Sequence, residues 1–427
     1  MIFTRLARKN GAASTFAMAI ALATGAAIGV TALEAPAAAQ KKPKYSKAFI
    51  AAYTPLQTAL QAEALDAAAV KAAIPAVVAA IENEDDRYAA GGAIVGAGQK
   101  LNDLGLALQG LELMLASGKV APEQLGQFNM QAGQIAYNQN QYEKARTYIR
   151  AAMEAGYTQN NPEGIIAESY FAENKYSEGL AYLSGVIDTR LAAGQTVDED
   201  WIKRARAIAY NNNMPSEAAK YASLYVSQYP SPEAWADAVG IVLNTNNYKV
   251  PANNAEILDL MRLARRADAM ADDLSYVRYV DAADYRSLPA EVVAVIDEGY
   301  AAGAIPRDDT TFATTRQQAA DRAAADRADL EGILTRARAA NAPLRGVMTA
   351  GDLALSLGRG AEAEEFYAKA LTMPGVNTAT ALTRLGIAQV DQGKYAEADA
   401  TFKRVEGARQ AIANLWAAYV ANKNGSM

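Results

Sequence analysis

The sequence predicts an all-α protein, a solenoid built from antiparallel helix pairs, on three observations. The first is a period. Tyr142 and Tyr176 stand 34 residues apart in matching settings, NQNQYEKA and AENKYSEG, and two amphipathic segments per such period make one helix–turn–helix unit. The second is an abundance of alanine with only 8% aromatic residues. Alanine loses little entropy in a helix and lets helix axes approach, while the alternating Val, Ile and Thr that strands need are scarce. The third is punctuation. Pro122-Glu123, Pro162-Glu163, Pro215-Ser216-Glu217, Pro232-Glu233 and Pro289-Ala290-Glu291 each put Pro in a first turn, where no donor is lost. The acid beside it meets the positive end of the helix dipole.

The 427 residues exceed what one compact core organises, so several units are expected. The first stretch, 1–39, reads as a signal peptide. Arg5, Arg8 and Lys9 form a positive start, Ser14 to Leu33 an apolar run, and Ala37-Ala38-Ala39 a small-residue cleavage site before Gln40. The run is too rich in Ala and Gly for a strong anchor, so no stable membrane insertion is expected after cleavage. Arg8-Lys9 is not a twin arginine and no Cys follows. The expected address is therefore the bacterial periplasm, by the general secretory route, or the medium. The mature chain carries 38 basic against 46 acidic residues, a net charge of −8. An acidic chain without basic blocks excludes nucleic acid as an expected partner.

Residues 40–125 form an N-terminal helical region: a basic lead-in (QKKPKYSK), then helices over Phe49 to Leu65, Val70 to Ile81 and Gly91 to Leu115, the last stopped by Ser117-Gly118. It has no 34-residue match, as befits a terminal cap. Repeats follow over 126–306, with an enlarged loop around Asn244 to Pro251 in the unit at 233–272. Residues 307–342 read as one long charged helix, Thr310 to Ala340. Its apolar face (Phe312, Leu330, Ile333, Leu334) is thin in the first half, which leaves that half for solvent or a partner. Two more repeats span 343–412, and 413–427 make a C-terminal helix and tail.

The residues at fixed points of these units carry a family likeness. Residues 126–159 place Ala132-Gly133, Tyr142, Ala145 and Ala152 at the small and large packing positions. Residues 379–412, containing LTRLGIAQVDQGKYAEADATFKRV, place Leu385-Gly386, Gly393, Tyr395, Ala398 and Phe402 at the same points. Small residues let the two helices of a unit cross closely, and large ones fill the space before the next unit. In these positions the chain resembles the tetratricopeptide repeat family. The resemblance covers about half the mature chain well, and it implies a tetratricopeptide-type α-solenoid: a right-handed superhelix with an atypical N-terminal helical cap. The overall layout resembles the exported tetratricopeptide proteins of α-proteobacteria, for which the resemblance implies no defined activity.

Cysteine and histidine are both absent. That removes Cys/His zinc sites, thiol nucleophiles, Ser-His-Asp triads, haem attachment and disulfides. The acidic clusters Glu82 to Asp86, Asp198 to Asp200, Asp272-Asp273 and Asp308-Asp309 lack calcium-loop spacing and sit where helices are expected to start. No phosphate loop is present. Glu168-Ser169 matches the dipeptide of superhelical lytic transglycosylases, but inside a repeat and without a following catalytic domain. No enzyme activity, metal or cofactor is expected.

The inner groove of such a solenoid is lined by the first helix of each unit. Tyr137, Phe171 and Tyr210 hold one inward position in three successive units, and Asn138 and Asn211 follow two of them. Rings supply apolar contact and amides bond a peptide backbone, so these five residues are the candidate partner-binding set. Packing inside the solenoid is the competing role for the same rings. A carboxylate clamp, which the family builds from Lys, Asn and Arg, is not met: Lys203 fits one position, but Ala207 stands where Asn is needed. The expected function is a non-enzymatic scaffold gripping a protein or extended peptide in its concave groove. A cell-wall glycan binder and a subunit self-associating through 310–340 are the alternatives.

Overall fold

The computed structural model describes residues 43–425 apart from Asn247, Val250, Pro251 and Ala271. The expected signal peptide and its cleavage site lie outside the described residues. Twenty α-helices and no strand are found among them, and none of these helices is long and apolar enough to cross a membrane. The chain divides by contact into two units, 1–90 and 91–427.

In the first unit, α1 (Lys47–Gln61) and α2 (Ala67–Ala79) form a pair. Its interior is Phe49, Leu56 and Leu60 with Val70, Ile74 and Val77. The acidic cluster here serves the backbone. Asp86, fully buried, accepts from the Ser46 and Glu82 amides at 3.0 and 3.2 Å and from the Asn83 side chain at 3.0 Å. A buried carboxylate is tolerated when donors saturate its oxygens.

The third helix differs from its sequence expectation. Instead of one helix over Gly91 to Leu115 there are two, α3 (Glu84–Lys100) and α4 (Leu104–Ala116). Asn102 breaks them in the left-handed region (φ 51°), and Asp103 caps the new helix by accepting from the Gly105 and Leu106 amides. An Asn-Asp pair reads as two polar helix residues until its local hydrogen bonding is considered. Gly98 then faces α4 so closely that a Cβ would lie 2.5 Å from the Ala107 amide nitrogen.

The solenoid continues as α5 (Pro122–Asn138) and α6 (Tyr142–Glu154), α7 (Pro162–Ala172) and α8 (Tyr176–Ala192), α9 (Glu199–Asn211) and α10 (Pro215–Gln228). Next come α11 (Pro232–Thr245) and α12 (Asn254–Arg266), then α13 (Asp273–Ala283) and α14 (Pro289–Ala302). Each of the five prolines singled out above is the first residue of its helix. After the long α15 (Thr310–Arg338) come α16 (Leu344–Ser356) and α17 (Gly360–Leu371), α18 (Thr378–Asp391) and α19 (Tyr395–Phe402). A 3-10 turn, Gly407–Arg409, leads into α20 (Gln410–Lys423). This is the all-α arrangement of consecutive helix pairs that the sequence predicts.

One turn recurs inside the pairs. Asn140, Asn174 and Asn213, then Gly358 and Gly393, hold φ of 53–72° at the same place. At each, the next residue's amide reaches back to a carbonyl five residues earlier, at 2.8–3.0 Å, the hydrogen bond of a Schellman close. Where Tyr follows two residues on, its hydroxyl donates to that Asn: Tyr142 to Asn140 and Tyr176 to Asn174, both 2.7 Å. The 34-residue tyrosine period thus marks a shared backbone turn. Asn and Gly both tolerate this conformation, whereas a β-branched residue clashes. Gly393→Asn should therefore stay within about 0.5 kcal/mol of the parent, and Gly393→Val should lose about 1–2 kcal/mol or more in urea titrations. Equal stability of the two variants would refute this account of the turn.

α15 is packed along both halves. Phe312 and Ala319 join the α14 side, where Arg316 holds Asp297 through two bonds of 2.5 and 2.9 Å. Leu330, Leu334 and Ala337 join Val347, Phe366 and Ala370 of α16 and α17. In the first half only Phe312, Ala319 and Ala323 are buried, a narrow stripe of small contacts, and most of its other side chains face solvent.

The chain then folds back on itself, and the sequence carries no local sign of this. α20 packs on α10, α11, α12 and α18, and one core runs from Ala219 to Val420. At its centre Asp259 of α12, fully buried, receives Arg262 at 3.1 Å, Arg384 of α18 at 3.5 Å, and Arg409. Each arginine has a second partner. Arg262 grips Glu291 through two bonds of 2.8 and 2.7 Å, Arg384 reaches both oxygens of Asp352 at 2.7 and 2.8 Å, and Arg409 meets Glu256 at 2.8 Å. Tyr279 and Tyr367 donate to Glu291 and Asp352, each at 2.7 Å. Burial alone would raise the Asp259 carboxyl, but the Arg384, Arg409 and Arg262 charges outweigh it and hold the group below its ordinary range. Every residue of α18 from Ala381 to Val390 is buried.

Candidate partner-binding face

The first helices α5, α7 and α9 carry the candidate residues. α5 turns Ala132, Ile135 and Ala136 into the core shared with Ala107, Leu108 and Leu111 of α4. Its Gly133 lies on Ile149 of α6. α7 is fixed by Arg146 of α6, which is buried, donates to Ser169 at 3.1 Å and Glu173 at 2.5 Å, and lies 4.1 Å over the Tyr170 ring. α9 is anchored by Ile202, Ala205, Ile208 and Ala209.

Against this scaffold the five candidates separate. Tyr137 is half-buried, its ring edge-on to Tyr142 at 5.3 Å. Asn138, Tyr210 and Asn211 are exposed, Tyr210 to 40%. Phe171 is not a groove residue. It is 5% exposed, in a core with Leu180, Leu183 and Ile202, its ring filling the space that a Cβ on Gly179 would need. The glycine makes room for it, so the ring turns into the helix pair at the point where Tyr137 and Tyr210 do not.

A charged pair missed in the sequence sits beside Tyr137. Arg204 of α9 grips Glu168 of α7 through bonds of 2.7 and 2.9 Å. Burial pushes the Tyr137 hydroxyl up, the Glu168 charge adds to that, and Arg204 opposes it. Tyr137, Glu168 and Arg204 therefore share one locality drawn from three successive first helices. The signal in the sequence was opposite charges 36 residues apart, close to one repeat length. Lys203 is held by Glu199 at 2.7 Å, and Ser169 of the Glu168-Ser169 dipeptide is buried, donating to the Ile166 carbonyl. Two open surface depressions lie elsewhere, one lined by Asn140 to Lys144, Thr147 and Glu173, the other by residues including Tyr182 and Arg190. Neither includes the candidate set. No group of three or more acidic, His or Cys side chains that could hold a metal occurs among the described residues.

Residues 126–155, the α5–α6 pair, match the tetratricopeptide repeat family. Among solved structures, the chain is similar to the TPR2AB domain of yeast Sti1 in its complex with pHSP90. The identity is 14%, the match covers 70% of this chain and 96% of that one, and the TM-score is 0.24. It is also similar to the TPR domain of P58(IPK), at 14% identity over 88% of this chain and 99% of that one, with a TM-score of 0.20. At these scores the fold rests on the chain's own helices. No curated protein matches.

Proposed function

We propose that the chain is a non-enzymatic scaffold of the bacterial periplasm that holds a protein or extended peptide on the face of α5, α7 and α9. The observation that carries this reading is a contrast between its two sets of repeats. In the C-terminal set, α18 is buried from Ala381 to Val390, and α12 and α20 lie against it. On the earlier set, Asn138, Tyr210 and Asn211 are exposed, and their side chains hydrogen-bond no other group of the described chain. Tyrosine with amides suits a peptide, the ring giving apolar contact and the amides pairing with its main chain. The acidic net charge and lack of basic blocks argue for protein over nucleic acid. The positive start, apolar run and small-residue site expected of a signal peptide over 1–39 support the periplasmic address.

Crosslinking in living cells with the C-terminally tagged protein tests it. One dominant protein partner is expected, with capture falling about tenfold or more in the Tyr137→Ala/Tyr210→Ala double variant. Recovery of glycan fragments alone, or capture unchanged by the double variant, would overturn the reading.

A further inference from the structure

α5 carries a second pattern on the face turned away from α4 and α6. Gln124, Gln127, Gln131, Gln134 and Asn138 follow one another at spacings of three, four, three and four, which places them on a single line along the helix. None of the five side chains bonds another group of the described chain, and Gln131 and Gln134 are half-buried without a partner. From Gln124 to Tyr142 the sequence has no charged residue. The nearest charges in sequence, Glu123 and Glu143, bracket the stretch.

We propose that this amide row is the contact line for an uncharged, extended polypeptide segment held through its main chain. The proposal rests on the scaffold reading above and names the chemistry of the segment bound. Each primary amide offers an acceptor oxygen and a donor nitrogen on one plane, the complement of a main-chain N–H and C=O. The row spans about 21 Å at 1.5 Å per residue, the length of about six extended residues. Successive amides rise by about 5 Å, against about 7 Å between same-side groups of an extended chain. The long glutamine side chains take up that difference. The row itself carries no charge, and the Glu168–Arg204 pair near its end is engaged with itself, so an acidic or basic segment would lose hydration for little counter-charge. A glycan is the weaker occupant, because no carboxylate stands on the row to pair with sugar hydroxyls. The Tyr137 and Tyr142 rings beside it meet edge to face and partly cover each other.

The test uses the mature chain and an array of blocked peptides of about ten residues, some uncharged and rich in Thr, Val, Ser and Asn, others with Asp or Lys at alternate positions. Binding by the uncharged set is expected, changing less than about twofold between about 50 and 500 mM salt. Gln127→Ala/Gln131→Ala/Gln134→Ala should weaken it about tenfold or more, while helix content and melting temperature hold, since alanine favours an exposed helix. N-methylation of the peptide main chain should abolish binding. Preference for charged peptides, a steep salt dependence, competition by soluble glycan fragments, no binding by any peptide, or an unaffected triple variant would each overturn the proposal. Loss of the cellular partner in the Tyr137/Tyr210 variant but not in the amide triple variant would leave the scaffold reading standing and sink this one. Capture unchanged by both would sink the scaffold reading itself.

Discussion

Asp259→Ala is expected to lower the unfolding free energy by about 3–5 kcal/mol, the cost of breaking a buried charge network at its shared anion. The magnitude follows from what is stranded. Arg262, Arg384 and Arg409 all converge on this carboxylate, and all three are buried. Removing it takes away the one anion that all three share and leaves each with only its second partner, Glu291, Asp352 or Glu256, in a place that water does not reach. The exposed Arg204–Glu168 pair is the contrast: with 49% and 36% side-chain exposure, its loss should cost about 1 kcal/mol or less. The same knot gives an acid dependence. Burial works to raise the Glu291 carboxyl, but the Arg262 charge and hydrogen bonds and the Tyr279 hydroxyl bring it down from 4.5 to about 2. A carboxylate lowered on folding stabilises the fold fully above its unfolded value and ceases to do so as pH falls through the folded one. Stability should therefore drop by about 3 kcal/mol between about pH 5 and pH 2, and Glu291→Gln should flatten that slope. Urea titrations across this range measure both effects. A cost below about 1 kcal/mol for Asp259→Ala would mean that the second partners alone satisfy the arginines, and the shared carboxylate would not be what fixes the closure.

Trp416→Ala should cost about 3–5 kcal/mol, the usual range for emptying a buried aromatic site. Its indole is fully buried, stacked on Phe402 at 5.9 Å and edge-on to Tyr419 at 6.0 Å. Its N–H donates to the Asp259 backbone carbonyl at 3.1 Å. The substitution therefore opens a cavity and removes the second donor from a buried helix carbonyl together. The effect should concentrate at α20, which is otherwise held by Tyr419 donating to the Arg266 carbonyl and Asn422 to the Val226 carbonyl. Hydrogen exchange should rise first over 410–423 and over the facing parts of α10 and α12. Exchange that rises evenly along the whole chain would argue against α20 as a separately held closing element. Because Trp416 and Arg409 meet Asp259 from one short segment, the two variants should not add.

Local physics made much of this architecture legible. Pro at a helix start, Asn or Gly at a left-handed turn, and apolar side chains at helical spacing act within a few residues of one another, so the sequence by itself determined the helices, the pair turns and the all-α class. Where a local signal was ambiguous it misled: Asn102-Asp103 reads as helix interior until its local hydrogen bonding is considered. Tyr137, Phe171 and Tyr210 recur at one sequence position of their units, but the placement of Gly179 beneath Phe171 turns that ring inward, which the sequence alone does not show. The fold-back lay beyond any local reading. Asp259 meets Arg409 across 150 residues and Arg384 across 125, and in one dimension these are ordinary charges on amphipathic helices. Burial and the direction of a side chain are properties of the assembled packing. Which set of repeats is filled by its own chain, and which keeps an open face, was therefore decided by the tertiary structure alone.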